Sequence, residues 1–111
     1  ALMLAWYHTF KTMPTTCHEA IYKAQAVYRN ENGIEVFEAP ELREVLLQHL
    51  TNRRGELCSR ILGEFISDTA KRIECGGRME ASGTSQRAVR WRVVPIDRPT
   101  LDKALQDFHQ G

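Results

Sequence analysis

The stretch Glu56–Pro95, ELCSRILGEFISDTAKRIECGGRMEASGTSQRAVRWRVVP, decides the fold. Leu57, Ile61, Leu62, Phe65 and Ile66 share one face of a helix that begins near Glu56. Arg60, Gly63, Glu64, Ser67 and Asp68 fall on its other side. A glycine in mid-helix costs about 1 kcal/mol relative to alanine, so close packing against another backbone is expected at Gly63. Arg72 to Met79 reads as a strand kinked by Gly76-Gly77, and Ala81–Ser85 as a loop tip. Gln86 to Val94 alternates, with Ala88, Arg90, Arg92 and Val94 on one face and Arg87, Val89, Trp91 and Val93 on the other. Val89, Trp91 and Val93 are expected to face the core, and Pro95 ends the strand. A helix followed directly by a two-stranded ribbon is the second half of a winged helix.

Working outward, Leu42, Val45, Leu46 and Leu50 make an apolar face on a helix over 40–50. Pro40 suits its first turn and Glu41 the positive end of its dipole. Thr51–Gly55 is a polar, basic turn. Further upstream, Leu2, Met3, Trp6, Tyr7 and Phe10 recur at helical spacing over 2–11. Thr16 and Glu19 form a capping box for a helix running to about Arg29, which buries Ala20, Ile21, Ala24, Val27 and Tyr28. Asn30–Gly33 is a turn, and Ile34, Val36 and Phe37 form a short extended piece. Beyond Pro99, a last helix aligns Leu101, Ala104, Leu105 and Phe108. The pattern predicts one α+β domain over 1–111, a mainly helical winged helix-turn-helix with a C-terminal hairpin wing. Its core spans about 15–95, and helices at 1–11 and 99–111 flank it, with apolar stripes that serve as core or as faces for dimerisation or docking.

At 111 residues and 42% hydrophobic content the chain is long enough for a modest core and too apolar for disorder. No apolar run reaches the roughly 18 residues of a membrane span, and ALMLAW lacks the basic flank of a signal peptide. The chain opens on Ala rather than Met, which fits a piece of a longer protein. Net charge is only +1, but its distribution is uneven. From Ala1 to Leu50 four basic residues stand against six acidic ones, whereas from Thr51 to Arg98 ten stand against six, nine of them Arg. Arginine suits phosphate and guanine recognition better than a solubilising lysine face, although a solvated surface using Arg gives the same tally. Cys17, Cys58 and Cys75 are an odd, widely spaced set without a C-x-x-C pair, which points to a reducing, cytoplasmic compartment. Cys17-His18 has no matching pair to complete a zinc site, so no metal or cofactor is expected. The four histidines are isolated, and neither G-x-S-x-G nor a phosphate loop occurs. Catalysis within this chain is not expected.

In a winged helix, a helix about ten residues long enters the major groove while a basic hairpin reaches phosphates or the minor groove. Here residues 40–50 are the supporting helix and 56–69 the recognition helix. The residues expected at double-stranded DNA are Asn52, Arg53, Arg54, Ser59 and Arg60, with Lys71, Arg72, Arg78, Arg87, Arg90 and Arg92 on the wing. Asn52 and Ser59 are short hydrogen bonders, and the arginines neutralise phosphates or grip guanine. The alternatives are a winged-helix transcriptional repressor and a winged-helix protein-interaction or dimerisation module.

Ser59, Arg60, Leu62, Gly63 and Ile66, then Gly77-Arg78, then Arg90, Trp91, Arg92 and Val93 follow a recognisable pattern. A Ser-Arg-x-Leu-Gly helix, a Gly-Arg strand and an Arg-Trp-Arg-Val strand resemble the C-terminal winged-helix module of phage and plasmid primase–helicase replication proteins. The resemblance covers about the central third of the chain, leaving the helices before Pro40 and the tail after Pro95 uncovered. It implies recognition of repeated sites at a replication origin, with a homodimer or upstream domains of the same polypeptide as protein partners. The Walker motifs and primase carboxylates of those proteins are absent, so it carries over no ATPase or primase role.

Overall fold

In the computed structural model, which describes residues 2–70 and 72–110, helix α1 (Leu2–Phe10) is the centre of the core. Every residue from Leu2 to Tyr7 is buried, as is Phe10, and Trp6 meets Phe10 edge-on at 5.2 Å between ring centroids. A helix that is apolar around its whole circumference must be enclosed on all sides. The stripe read as core or docking face is thus used up inside the chain.

Nine further elements follow α1 among the described residues. They are β1 (Thr15–Thr16), α2 (Cys17–Gln25), β2 (Val27–Arg29), β3 (Glu35–Phe37), α3 (Pro40–His49), α4 (Ser59–Thr69), β4 (Gly77–Ser85), β5 (Ala88–Pro95) and α5 (Arg98–Gln110). Together they make an α+β fold in which α1 packs against α3, α5, β4 and β5. Leu42, Leu46, Leu62, Ile66, Val93 and Leu101 join Trp6 as its largest fully buried side chains. Each contributes roughly 1.5–3 kcal/mol by leaving water. Leu101 anchors α5, with Ala104, Leu105 and Phe108 packed at the margin of the core. Among the described residues no helix is long and apolar enough to cross a membrane.

Local sequence explains several boundaries. Thr16 caps α2 by accepting from the Glu19 backbone N–H at 3.1 Å, while Glu19 Oε1 accepts from the Thr16 N–H at 3.0 Å. Pro40 starts α3 at a position where its missing N–H costs nothing.

Several sheet features depart from the sequence reading, and the strand read over 72–79 begins only at Gly77. The second helix stops at Gln25, and Val27 and Tyr28 lie exposed in β2, which pairs with β3 in a ribbon separate from the main sheet. A β-branched and an aromatic residue facing Val36 and Phe37 across a tight turn favour a hairpin over two further helical turns. The hairpin tip of β4–β5 lies at Gln86-Arg87, not at Ala81–Ser85. Ser85 pairs with Ala88, and both tip residues adopt positive φ, 51° and 71°. The glycine read as the tip, Gly83, instead sits in a β-bulge, where Ser82 and Gly83 together oppose Arg90. Finally, Val89 is 41% exposed, while Trp91 and Val93 are buried as expected.

The main sheet runs β1-β5-β4, all antiparallel, with Thr15 opposite Trp91 and Thr16 opposite Arg90. This pairing stitches the start of α2 to the ribbon that follows α4.

Candidate nucleic-acid interface

Asn52 builds the turn between α3 and α4. Its Oδ1 accepts from the N–H groups of Arg54 at 2.9 Å and Glu56 at 3.0 Å, and its own N–H donates to the Glu56 carbonyl at 2.8 Å. Gly55 closes the turn at φ +77°. The same construction recurs at Asn30, which accepts from Asn32 and Ile34, with Gly33 at φ +75°. One scaffold therefore serves two turns, presenting Glu31-Asn32 between β2 and β3 and Arg53-Arg54 between α3 and α4. Where the sequence reads Asn52 as a DNA contact, its carbonyl oxygen is committed to the loop. Its effect is to hold Arg53 and Arg54 in solvent, where both are exposed.

The chain then enters α4 through Cys58 at the N-cap, and Ser59 is the first helical residue. The backbone N–H groups of Ile61 and Arg60, which face the Cys58 thiol at the start of α4, hold it below its ordinary pKa. Arg60 and Glu64 follow on the exposed face, with Arg60 Nη1 3.3 Å from Glu64 Oε1. Their side chains are 76% and 64% exposed, so the pair is worth about 0.3–0.5 kcal/mol and opens easily.

This face of α4 forms one wall of a groove of about 690 Å³. Ser59, Arg60, Gly63, Glu64, Ser67 and Asp68 line it from α4; Ala88, Val89 and Trp91 line it from the ribbon; Cys17 and His18 line it from the start of α2. Burial of Cys17 raises its thiol to about 11, so it remains a neutral floor residue. Gly63 has no neighbouring backbone to accommodate: a Cβ there would meet only Cys17 Sγ, at 3.8 Å. The sequence expectation of backbone packing at this glycine is thereby corrected.

The ribbon arginines divide by face. Arg78 and Arg92 both reach Glu80, at 3.1 and 3.6 Å, and Arg90 Nη2 donates to the Thr84 carbonyl at 3.4 Å across the bulge. Strand alternation sets Arg90 and Arg92 on the side of β5 opposite Val89 and Trp91, so they turn away from the groove. The Nε atoms of all three are buried without a hydrogen-bond partner. Arg72 lies beyond the C-terminal end of α4, beside Leu2, Met3, Phe65 and Thr69. Arg87 projects from the tip immediately before Ala88 and is exposed. Lys71 lies outside the described residues.

The structure therefore brings Ser59 and Arg60 into the groove, with Arg53, Arg54 and Arg87 adjoining it along the chain. It sets Arg72, Arg78, Arg90 and Arg92 elsewhere. The helical period already showed Glu64, Ser67 and Asp68 on the exposed side of α4, but gave no reason to expect acidic groups in the site. His18 and Val89 had no sequence signal, because their place depends on the long-range pairing of β1 with β5. Among the described residues no group of three or more His, Cys, Asp or Glu is placed to hold a metal ion. Comparison with protein-family models, with curated proteins and with solved structures found no match.

Proposed function

We propose that this chain is a winged-helix module that binds double-stranded DNA, with α4 entering the major groove and the β4–β5 ribbon as the wing. The observation that carries the reading is the groove, where the outer face of α4, the start of α2 and the ribbon converge. The sheet order β1-β5-β4 supports it, as does the placement of β1 between the first two helices and of the ribbon directly after α4. The exposed arginines Arg53, Arg54 and Arg87 give it a source of phosphate contacts. On this reading the module binds and does not catalyse. Service at a replication origin, within a phage or plasmid replication protein, rests on the resemblance of residues 59–93 alone.

Fluorescence anisotropy of labelled duplexes, repeated across salt concentrations, tests the proposal. Each phosphate contact adds about 0.9 to the slope of log affinity against log salt, so Arg53→Ala with Arg54→Ala should lower it by about 1.8. Weak binding that ignores salt and this double substitution would sink the reading. Origin recognition requires in addition a preference for repeats at an origin over random duplex.

A second reading, a protein-docking module, is favoured by the β2–β3 ribbon. It exposes Val27, Tyr28 and Phe37 on its strands, with Ile34, Tyr22 and Leu47 nearby in sequence. Sedimentation at high concentration tests self-association there, and a wild type that stays monomeric rules it out.

A further inference from the structure

We infer that α4 reads G·C base pairs, Arg60 contacting guanine and Glu64 contacting cytosine; the inference rests on the duplex-binding reading above. The groove-facing residues of α4 are Ser59, Arg60, Gly63, Glu64, Ser67 and Asp68. This set contains no Asn or Gln, the side chains that pair with the N6 and N7 edge of adenine, and no large apolar group for the thymine methyl. It does contain an arginine, whose fork fits the O6 and N7 acceptors of guanine.

The carboxylates are the informative part. A carboxylate on a helix that approaches phosphates is unfavourable unless a donor meets it. In the major groove the donors are the amino groups of cytosine and adenine. Adenine sets the N7 acceptor beside its amino group, which repels a carboxylate, whereas the cytosine edge has no such neighbour. Arg60 and Glu64 are held side by side at 3.3 Å, so both heads leave the helix in the same direction. Because both are well exposed, exchanging each other for base edges requires little desolvation. Four residues advance about 6 Å along a helix, nearly two base-pair steps of about 3.4 Å. The two contacts therefore fall on pairs no more than about two steps apart. Gly63, between them, leaves this part of the helix surface low, and the 3.8 Å clearance to Cys17 Sγ shows that internal packing does not demand it.

The experiment is selection of binding sites by the full chain from a pool of random duplexes, followed by anisotropy on the recovered sequences. Glu64→Gln keeps an exposed, helix-favouring residue while exchanging a cytosine reader for an adenine reader. The expected wild-type motif holds a guanine and a cytosine within about two steps of each other. Glu64→Gln should move only the cytosine position to adenine, and Arg60→Ala should flatten only the guanine position. Each change should alter discrimination by about 5- to 150-fold at its own position. A recovered motif rich in A·T pairs, or one that Glu64→Gln leaves unchanged, overturns this inference while duplex binding stands. Failure to retain any duplex at low salt overturns the duplex-binding reading itself, and this inference with it.

Discussion

Two glycines should respond to the same substitution with opposite signs. Gly76 has φ +83°, and a Cβ built there would lie 2.6 Å from the Asp97 carbonyl oxygen, 2.8 Å from the Leu101 nitrogen and 3.0 Å from Thr100 Cβ. These are atoms at the start of α5, and the Gly76 carbonyl also accepts from the N–H groups of Ile96 and Asp97, both at 2.9 Å. The left-handed conformation costs an L-residue roughly 1–2 kcal/mol. Overpacking against backbone costs about 1–3 kcal/mol more. Gly76→Ala should therefore destabilise by about 2–5 kcal/mol, a large share of the 5–15 kcal/mol typical of a domain. Gly63→Ala relieves a helix-interior glycine at an ordinary contact distance and should stabilise by about 0.8–1 kcal/mol. Thermal unfolding followed by circular dichroism, at about 4 °C per kcal/mol for this size, should show Tm falling by roughly 8–20 °C for Gly76→Ala and rising by roughly 4 °C for Gly63→Ala. A Gly76→Ala chain that melts with the parent would refute the close approach of the turn before β4 to the start of α5. Destabilisation by Gly63→Ala would show that the groove floor is tighter than 3.8 Å.

Thr16→Ala should cost about 0.5–2 kcal/mol through loss of the capping box, measured by urea unfolding. The Thr16 backbone N–H, and secondarily its side chain, depress the Glu19 pKa, so Glu19 contributes stability above the ordinary carboxylate range and loses it as pH falls through its own lower value; the difference between wild type and Glu19→Gln should vanish in acid. Arg78→Ala and Arg92→Ala, on the ribbon face turned away from the groove, should leave the salt slope of DNA binding unchanged and cost no more than about 1 kcal/mol in stability through Glu80. Replacing Gln86-Arg87 by Asn-Gly should stabilise the turn by roughly 1 kcal/mol or more and lower the salt slope by about 0.9, separating stability from binding. Alkylation of the native chain, read by mass spectrometry, should label Cys58 and exposed Cys75 and spare buried Cys17.

What the sequence disclosed was what short-range chemistry determines. The Thr16–Glu19 box, the Pro40 start of α3 and the burial of Trp91 and Val93 need only local spacing, and all are present. Long-range pairing hid the rest. Val27 and Tyr28 fit a helical stripe until β3 arrives opposite them. Gly83 resembles a turn residue until the register assigns it to a bulge. At the candidate groove, the place of Ser59 and Arg60, with Arg53 and Arg54 just before them along the chain, was legible because a basic turn leads straight into a helix. The separation of Arg90 and Arg92 from the groove depends on which face of β5 meets α1, and alternation alone does not say which face the DNA would use.

The residues around the groove share a further property. Stability alone would not select a glycine in the middle of α4 where alanine fits. It would not choose cysteine as the N-cap of the same helix when Ser, Thr, Asp and Asn cap better. Nor would it choose Gln86-Arg87 for a turn with two positive φ values, or leave Val89 exposed on the adjoining strand. The other non-glycine residues with positive φ have local explanations: Lys11 follows the last turn of α1, and Cys75 precedes Gly76 in the tight turn that Glu74 and Gly77 close. Around the groove the four departures have no shared local cause, yet they adjoin a single concavity. Sequences generally keep such inconsistencies where function requires them. The same clustering favours the groove over the β2–β3 ribbon as the principal site. That ribbon is exposed, but its turn, with Asn30 bonding back to the chain and Gly33 at positive φ, follows every local rule.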